Sequence, residues 1–394
     1  MAKAGRTIGL REGGSVGQRA AVERVSRVCP PPNPLPSEWE GEKSGQRASG
    51  VGCRATGPAA EPVSRVCPPP NPLPSEWEGE KSGLRAPGTL ASPVTDRRFT
   101  RFAIVTLGFN MAVILFGAVV RATGSGAGCG AHWPSCQGTV VPLSGSAETF
   151  VEFTHRASSG VALVLVAILA GWAIRRRPKG DAARRTAIAS GILIVNEALI
   201  GAALVLFEWV ADDQSIGRAV SIALHLTNTF LLLGALALTA WFASGHQTPR
   251  RPFEPATRRL LAIGAVALVV VGAAGAITAL GDTLFPPESV GAGLRDDLTG
   301  VFLVRLRWIH PLLAVATAVY LLSILGRLRA PDWAASLLRA LIIVQVTAGA
   351  INIGLLAPVW MQLVHLLLAD AVWITFVIVG VAALSERARL EVSV

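Results

Sequence analysis

Long apolar runs alternate with short polar segments along the chain from about Phe99 onward. The runs are roughly 20 residues long, which is the length that a helix needs to cross the hydrocarbon core of a bilayer. We count eight runs, and a tight turn at Ala357 and Pro358 joins the last two. Their centres lie near Ala112, Val164, Ile194, Leu231, Leu268, Ala314, Ile343 and Ile374. The pattern predicts an all-α membrane protein with eight transmembrane helices.

The predicted helices form two sets of four that are similar in sequence. The second helix reads EFTHRASSGVALVLV and the sixth reads RWIHPLLAVATAVYLL, while the fourth and eighth also carry a histidine near their start. In the third and seventh helices, NEALIGA aligns with VQVTAGA, which places Glu197 against Gln345. Four helices return the chain to its starting side, so the repeat is parallel, with its axis along the membrane normal. We predict two pseudo-symmetric four-helix bundles, residues 99–243 and residues 258–387.

The N-terminal segment, residues 1–98, lacks this pattern and contains a duplication. Residues 25–48 return as residues 63–86, with only Gln46 replaced by Leu84. The copies are polar and rich in proline and glycine, so they have little apolar surface to pack. We predict a disordered tail, or a translated repetitive element upstream of the true start.

The composition agrees with a membrane protein and excludes a nucleic-acid partner. Hydrophobic residues make up 51% of the chain, charged residues make up 16%, and the mean hydropathy is +0.50. The net charge is +10, and outside the N-terminal segment most arginines and lysines lie in short segments before the first helix and after the second, fourth and sixth. Basic loops stay on the cytoplasmic side of a membrane. The distribution predicts a protein of the cell membrane with both termini in the cytoplasm.

Four of the six histidines lie near the start of the four helices that run from outside to inside, and therefore at a similar depth. They are His155, His225, His310 and His365. Histidine pairs on facing helices hold haem iron in bundle cores. The repeat predicts one haem between His155 and His225 and another between His310 and His365. Interfacial histidines that only form hydrogen bonds, or a copper site, are alternatives, whereas zinc would require more ligands than a pair supplies.

The two halves differ beside these histidines. Glu152 lies three residues before His155, whereas Arg307 lies three residues before His310. A carboxylate on the same helix face can take a proton or stabilise a developing cation. The alternative is that Glu152 only interacts with the helix dipole. Arginines near the outer helix ends are candidates for contacts to haem propionates, although snorkelling explains them equally well. These are Arg121, Arg156, Arg305 and Arg307.

Two cysteines, Cys129 and Cys136, share the glycine-rich external loop GSGAGCGAHWPSCQG. The oxidising side of a membrane preserves disulfides, so we predict a bridge between them. The bridge either pins the loop over the first histidine pair or acts as a redox relay.

These features together resemble the haem A synthase family. The resemblance runs from about Arg98 to Arg387 and rests on EFTHR at residues 152–156, HLTN at residues 225–228, His310-Pro, His365 and the cysteine loop. Members convert haem O to haem A for cytochrome oxidase, by successive hydroxylations of a ring methyl that yield a formyl group. Residues 281–301 lack the second cysteine pair of some members, and Glu197 stands where an amide is expected.

The resemblance implies a role for each half. Residues 99–243 would bind haem O as substrate through His155 and His225, with Glu152 as the catalytic residue. Residues 258–387 would hold haem b through His310 and His365. Implied partners are haem O synthase and cytochrome oxidase assembly factors, while the electron partner and the homo-oligomeric state stay open.

Two other classes of function fit part of the pattern. A bis-histidine cytochrome b that carries electrons from quinol explains four histidines but not the difference between Glu152 and Arg307. A transporter fits a parallel repeat but leaves the histidines unexplained.

Overall fold

Ten helices form the architecture of the chain in a computed structural model that describes residues 96–246, 248–249, 254–300 and 302–390. They are α1 Arg97–Ala122, α2 Ala147–Arg176, α3 Ala182–Leu206, α4 Ile216–Ala243, α5 Pro255–Leu284, α6 Val290–Thr299, α7 Phe302–Arg305, α8 Ile309–Leu325, α9 Asp332–Gly354 and α10 Val359–Leu390. Within these ranges no β-strand occurs. Residues 1–95 of the predicted tail lie outside the described residues.

The predicted number of membrane spans is confirmed. Eight helices are long and apolar enough to cross a membrane, and each contains one of the predicted centres. The sixth span, Leu303–Leu325, combines most of α7 with α8. The predicted tight turn is also present, because α9 ends at Gly354 and α10 begins at Val359, with Leu356 and Ala357 at positive φ.

Serine caps make α2 and α4 begin well before the histidines that were expected near their first residues. Ser146 accepts a hydrogen bond from the backbone N–H of Thr149, and Ser215 accepts one from that of Arg218. Such caps satisfy the free N–H groups of a helix N-terminus. His155 and His225 therefore lie about two turns into α2 and α4 rather than at their starts. The short helix α6 was not predicted, because a polar segment that is capped by Ser289 has no long apolar run.

The packing order joins the helices in two sets of four. In the first set, consecutive helices from α1 to α4 contact each other, and α4 also contacts α1. In the second set, α5, α8, α9 and α10 do the same. Between the sets, α1 and α4 contact α5 and α10, and the Trp373 ring stacks on the Phe230 ring with centroids 5.5 Å apart. A symmetry axis between the sets stays a prediction.

We call one end of the helices the histidine end. It contains the C-terminal ends of α1, α3, α5 and α9 and the N-terminal ends of α2, α4 and α10. The four predicted histidine ligands lie near this end.

Candidate functional site

The second set of helices brings His310 and His365 together. Their ring centroids are 6.3 Å apart, with ring planes at 88°. A metal–imidazole bond of about 2 Å on each side, plus roughly 1 Å from each nitrogen to its ring centre, places two rings that share one ion about 6 Å apart. Nδ1 of His310 lies 3.2 Å from the carbonyl oxygen of Val271. In the tautomer with a proton on Nδ1, this contact leaves Nε2 available to a metal.

In the first set, His155 lies on α2 and His225 lies on α4. Nδ1 of each ring is buried and forms no hydrogen bond to a described residue. Glu197 Oε1 lies 3.5 Å from Nδ1 of His225. The structure thus shows a ring pair for His310 and His365, and the ligand role of all four histidines stays a prediction.

A glycine of the preceding long helix lies against each of the four histidine rings. The nearest ring atom to a Cβ built at the glycine is Cε1, at 2.9 Å for Gly117 and His155, 3.9 Å for Gly201 and His225, 2.9 Å for Gly275 and His310, and 3.1 Å for Gly349 and His365. Only the contact at Gly201 leaves ordinary van der Waals space. The other three glycines fix where the imidazole lies. The sequence contains a signal for two of the four glycines, because Gly201 and Gly349 occupy the same position in the aligned segments NEALIGA and VQVTAGA.

The residues fit a metal that brings its own equatorial ligands. Zinc and copper sites use three or four protein ligands. In the part of the chain that the structure describes, no group of three or more His, Cys, Asp or Glu side chains is arranged to hold a metal ion. Histidine pairs without further ligands are what a haem iron with two axial imidazoles requires.

The carboxylate of Glu152 is buried and connects α2 to the cysteine loop. Its Oε2 accepts a 2.7 Å hydrogen bond from the backbone N–H of Cys129, and its Oε1 accepts hydrogen bonds from the Arg156 guanidinium. Arg156 also donates to the carbonyl oxygens of His132 and Ser135. The first turn of α2 contains Glu148 instead, so the helix dipole does not account for Glu152.

The predicted disulfide between Cys129 and Cys136 is present, and both cysteines are buried. The loop is tightly packed on α2, because a Cβ atom at Gly128 would overlap the backbone carbonyl group of Glu148. Thr149 Oγ1 donates a 2.8 Å hydrogen bond to the carbonyl oxygen of Gly128. The disulfide, the side chain of Glu152 and this contact together hold the loop on α2.

We expect the double variant Cys129→Ala, Cys136→Ala to unfold at a lower temperature in detergent while retaining part of its haem binding. Closing a loop of this length stabilises a fold by about 2–3 kcal/mol, whereas the contacts of Glu152 and Thr149 do not need the sulfurs. Free thiols located at Cys129 and Cys136 in the purified wild-type chain, found by mass spectrometry of the peptides, would contradict the disulfide. Activity lost completely in a double variant that binds both haems would instead support the redox relay.

Three of the four arginines predicted to contact propionates have protein partners. Arg121 donates from Nη1 to the carbonyl oxygen of Ala279 and to Thr283 Oγ1, and from Nη2 to Gln362 Oε1 at 2.7 Å. Arg121 thus connects α1 of the first set with α5 and α10 of the second. Arg156 binds Glu152 and the loop, Arg307 pairs with Asp282 at 3.2 Å, and Arg305 is exposed. Contacts of these arginines with propionates stay predictions.

Polar residues inside the first set link α3 to α4. Asn196 Nδ2 donates to Asn228 Oδ1 at 2.8 Å, and Asn228 donates to the carbonyl oxygen of Leu193 and to Glu197. In the second set, Nε2 of Gln345 lies 3.3 Å from Nε2 of His365. The polar residues at the repeat positions thus contact the helix that carries a histidine.

One buried carboxylate was missed by the sequence reasoning. Asp370 on α10 has no exposed surface, and neither of its oxygens has a hydrogen-bond partner among the described residues. Ionisable side chains inside a membrane are rare and costly, so Asp370 is a further candidate functional residue.

The chain is similar to a family of known proteins and to curated relatives with two different names. Residues 100–377 match the family of cytochrome oxidase assembly proteins, COX15-CtaA. A protoheme IX farnesyltransferase of Thermus thermophilus is 48% identical over 300 residues, which cover 74% of this chain and 49% of that protein. A heme A synthase of Alkalihalophilus pseudofirmus is 37% identical over 142 residues, covering 36% of this chain and 45% of that protein.

A heme A synthase of Shouchella clausii is 34% identical over 155 residues, which cover 39% of this chain and 49% of that protein. The chain thus spans about half the length of the curated relatives that it matches. The resemblance to haem A synthases is confirmed by these matches. With its eight apolar helices and the match over residues 100–377, the chain belongs to the cytochrome oxidase assembly protein family as a multi-pass membrane protein.

Proposed function

We propose that the chain is a haem A synthase, which oxidises a ring methyl of haem O to a formyl group by successive hydroxylations. The observation that carries this proposal is the difference between two otherwise similar histidine pairs. A buried carboxylate, Glu152, lies three residues before His155, whereas the buried Arg307 lies three residues before His310. A pair that only carries electrons has no need of a carboxylate on one side.

The first half, residues 99–243, would bind haem O as substrate between His155 and His225. The second half, residues 258–387, would hold haem b between His310 and His365. Gly117 and Gly275 would keep His155 and His310 in position, because each leaves room for the ring that lies against it. When bound, haem supplies the oxidation chemistry, while the protein supplies position and charge.

Glu152 would hold or take a proton beside the substrate. Its carboxylate is fixed from two sides, by the backbone N–H of Cys129 on Oε2 and by the guanidinium of Arg156 on Oε1. A positioned general base of this kind contributes about 10²- to 10⁴-fold to a rate. The cysteine loop would cover the same pair of histidines and limit the access of water.

The similarity to a protoheme IX farnesyltransferase of Thermus thermophilus supports a farnesylated haem as the substrate. The chain matches only 49% of that protein, so the activity in the name of the whole protein is not carried over to this chain. We infer that a haem O synthase supplies the substrate and that cytochrome oxidase assembly factors receive the product. The basic segments support an orientation in the cell membrane in which the histidine end lies outside the cytoplasm and both termini lie inside.

Co-expression of the chain with a haem O synthase tests the function. Extracted haems that are separated by chromatography are expected to contain haem A and its hydroxylated precursor, and both are expected to be absent when the chain is omitted. If the purified protein is folded and carries haem but neither product forms, the chain is not a haem A synthase. An electron-carrying cytochrome would then fit the same spectra.

A further inference from the structure

The third helix of each set carries a polar residue at the same place relative to a histidine. Glu197 on α3 precedes Gly201 by four residues, and Gln345 on α9 precedes Gly349 by four residues. Each glycine faces the imidazole of the next long helix, and each polar side chain contacts that same imidazole. The two halves therefore place a carboxylate and an amide, respectively, beside the histidine of the next long helix, although the carboxylate lies near Nδ1 of His225 and the amide near Nε2 of His365.

The carboxylate of Glu197 is held next to His225 by α4 itself. Asn228 donates to Glu197 Oε2, and Thr229 Oγ1 donates to Glu197 Oε1. Asn228 is fixed in turn by Asn196. Oε1 of Glu197 lies 3.5 Å from Nδ1 of His225, a buried nitrogen that forms no hydrogen bond to a described residue.

The charge at this position differs between the halves. Among the ion pairs of the described residues, the partner of Glu197 is the imidazole of His225, so no arginine or lysine neutralises it there. Gln345 is neutral and approaches His365 with its amide nitrogen, 3.3 Å from the ring Nε2. A histidine ligand whose second nitrogen faces a carboxylate is a stronger electron donor to its metal than one without that partner.

We propose that Glu197 is a positioning residue that lowers the reduction potential of the iron bound by His225 relative to the iron bound by His365. The inference rests on the proposed binding of haem by both histidine pairs. Hydrogen bonding and charge next to an axial ligand are main determinants of haem potential, because electron donation stabilises the ferric state. The two sites would thus differ in potential through one side chain in each half.

The test is a potentiometric titration of the purified full chain, with both sites loaded with iron protoporphyrin IX. His225→Ala and His310→Ala each remove one haem signal and so assign the two potentials. Glu197→Gln is expected to raise the potential of the first site alone, and Gln345→Glu is expected to lower that of the second site alone. A tenfold change in the ratio of ferric to ferrous affinity corresponds to about 59 mV for one electron.

The potentials of the swapped variants and of one control decide whether the inference stands. If neither swap moves a potential, or if either moves it in the opposite direction, the carboxylate does not tune the iron. Asn196→Ala is the matched control, because it breaks the same contact between α3 and α4 without removing the charge. A shift in Asn196→Ala equal to that in Glu197→Gln would leave Glu197 a purely structural role and overturn the proposal.

The proposed function and the inference on Glu197 can be overturned independently of each other. A chain that loads both haems and shows both potential shifts, but forms no haem A, overturns the enzyme assignment and leaves the role of Glu197 intact. If His225→Ala removes no haem signal, no iron is bound by His225 and the inference on Glu197 is wrong.

Discussion

A Gly117→Ala variant is expected to lose the haem held by His155 while it keeps the haem held by His310 and His365. The added methyl group would lie 2.9 Å from Cε1 of the His155 ring, closer than real Cβ contacts allow. The imidazole must therefore shift away from its position. Because losing a contact that orients a metal ligand weakens metal binding by about 10- to 100-fold, we expect a loss of that size in the haem affinity of the first site, measured by a haem titration that is followed in the visible spectrum.

The same substitution at Gly275 is expected to affect the second site, since its Cβ would lie 2.9 Å from Cε1 of His310. Two matched controls separate this effect from a general effect on folding. Gly108→Ala lies in the same helix as Gly117, and its Cβ meets no atom within 4 Å. Gly201→Ala lies beside His225 but leaves a 3.9 Å contact. Alanine is also the better helix former, so equal loss of haem in Gly108→Ala would contradict the explanation.

A Glu152→Gln variant is expected to retain both haems and to form haem A at least about 100-fold more slowly. The amide keeps the size of the side chain but cannot take a proton. It is a poor acceptor for the backbone N–H of Cys129 if its nitrogen occupies that side. Single-turnover formation of the hydroxylated precursor, followed by chromatography, measures the loss, while the spectrum of the purified protein reports haem content.

Because Glu152 also holds the cysteine loop, its chemical and structural roles need separate controls. Glu148→Gln removes an exposed carboxylate from the same helix, one turn earlier, and is expected to be neutral. Thr149→Val releases the loop at the carbonyl oxygen of Gly128 but leaves Glu152 and its partner Arg156 in place. If Thr149→Val is as inactive as Glu152→Gln, the carboxylate acts by holding the loop and not by proton transfer.

The membrane architecture could be predicted from the sequence because the thickness of a bilayer sets the length of each apolar run. The histidines could be found because their positions recur in both sets, and the disulfide could be found because two cysteines share one short loop. Helix α6 and the true starts of α2 and α4 depend on serine caps, which are short polar signals inside polar segments. They were therefore not predicted.

The parts of the site that were missed are contacts between residues far apart in sequence. Glycines in apolar helices are common, so the fit of Gly117 against His155 becomes visible only when α1 and α2 are packed together. Likewise, the engagement of both oxygens of Glu152 depends on how the cysteine loop folds back onto α2. Spacing along one helix placed Glu152 near His155, but it could not show which groups hold the carboxylate.

Arg121 imposes an order on the maturation of the chain. Its partners Ala279, Thr283 and Gln362 follow it by 158, 162 and 241 positions. At a synthesis rate of about 5–20 residues per second, Arg121 leaves the ribosome roughly 10 to 50 seconds before these partners do. During that interval water or lipid headgroups must solvate its guanidinium. The histidine end of α1 therefore reaches its final contacts only after translation of α10 has begun, so the first half of the protein cannot complete its packing on its own.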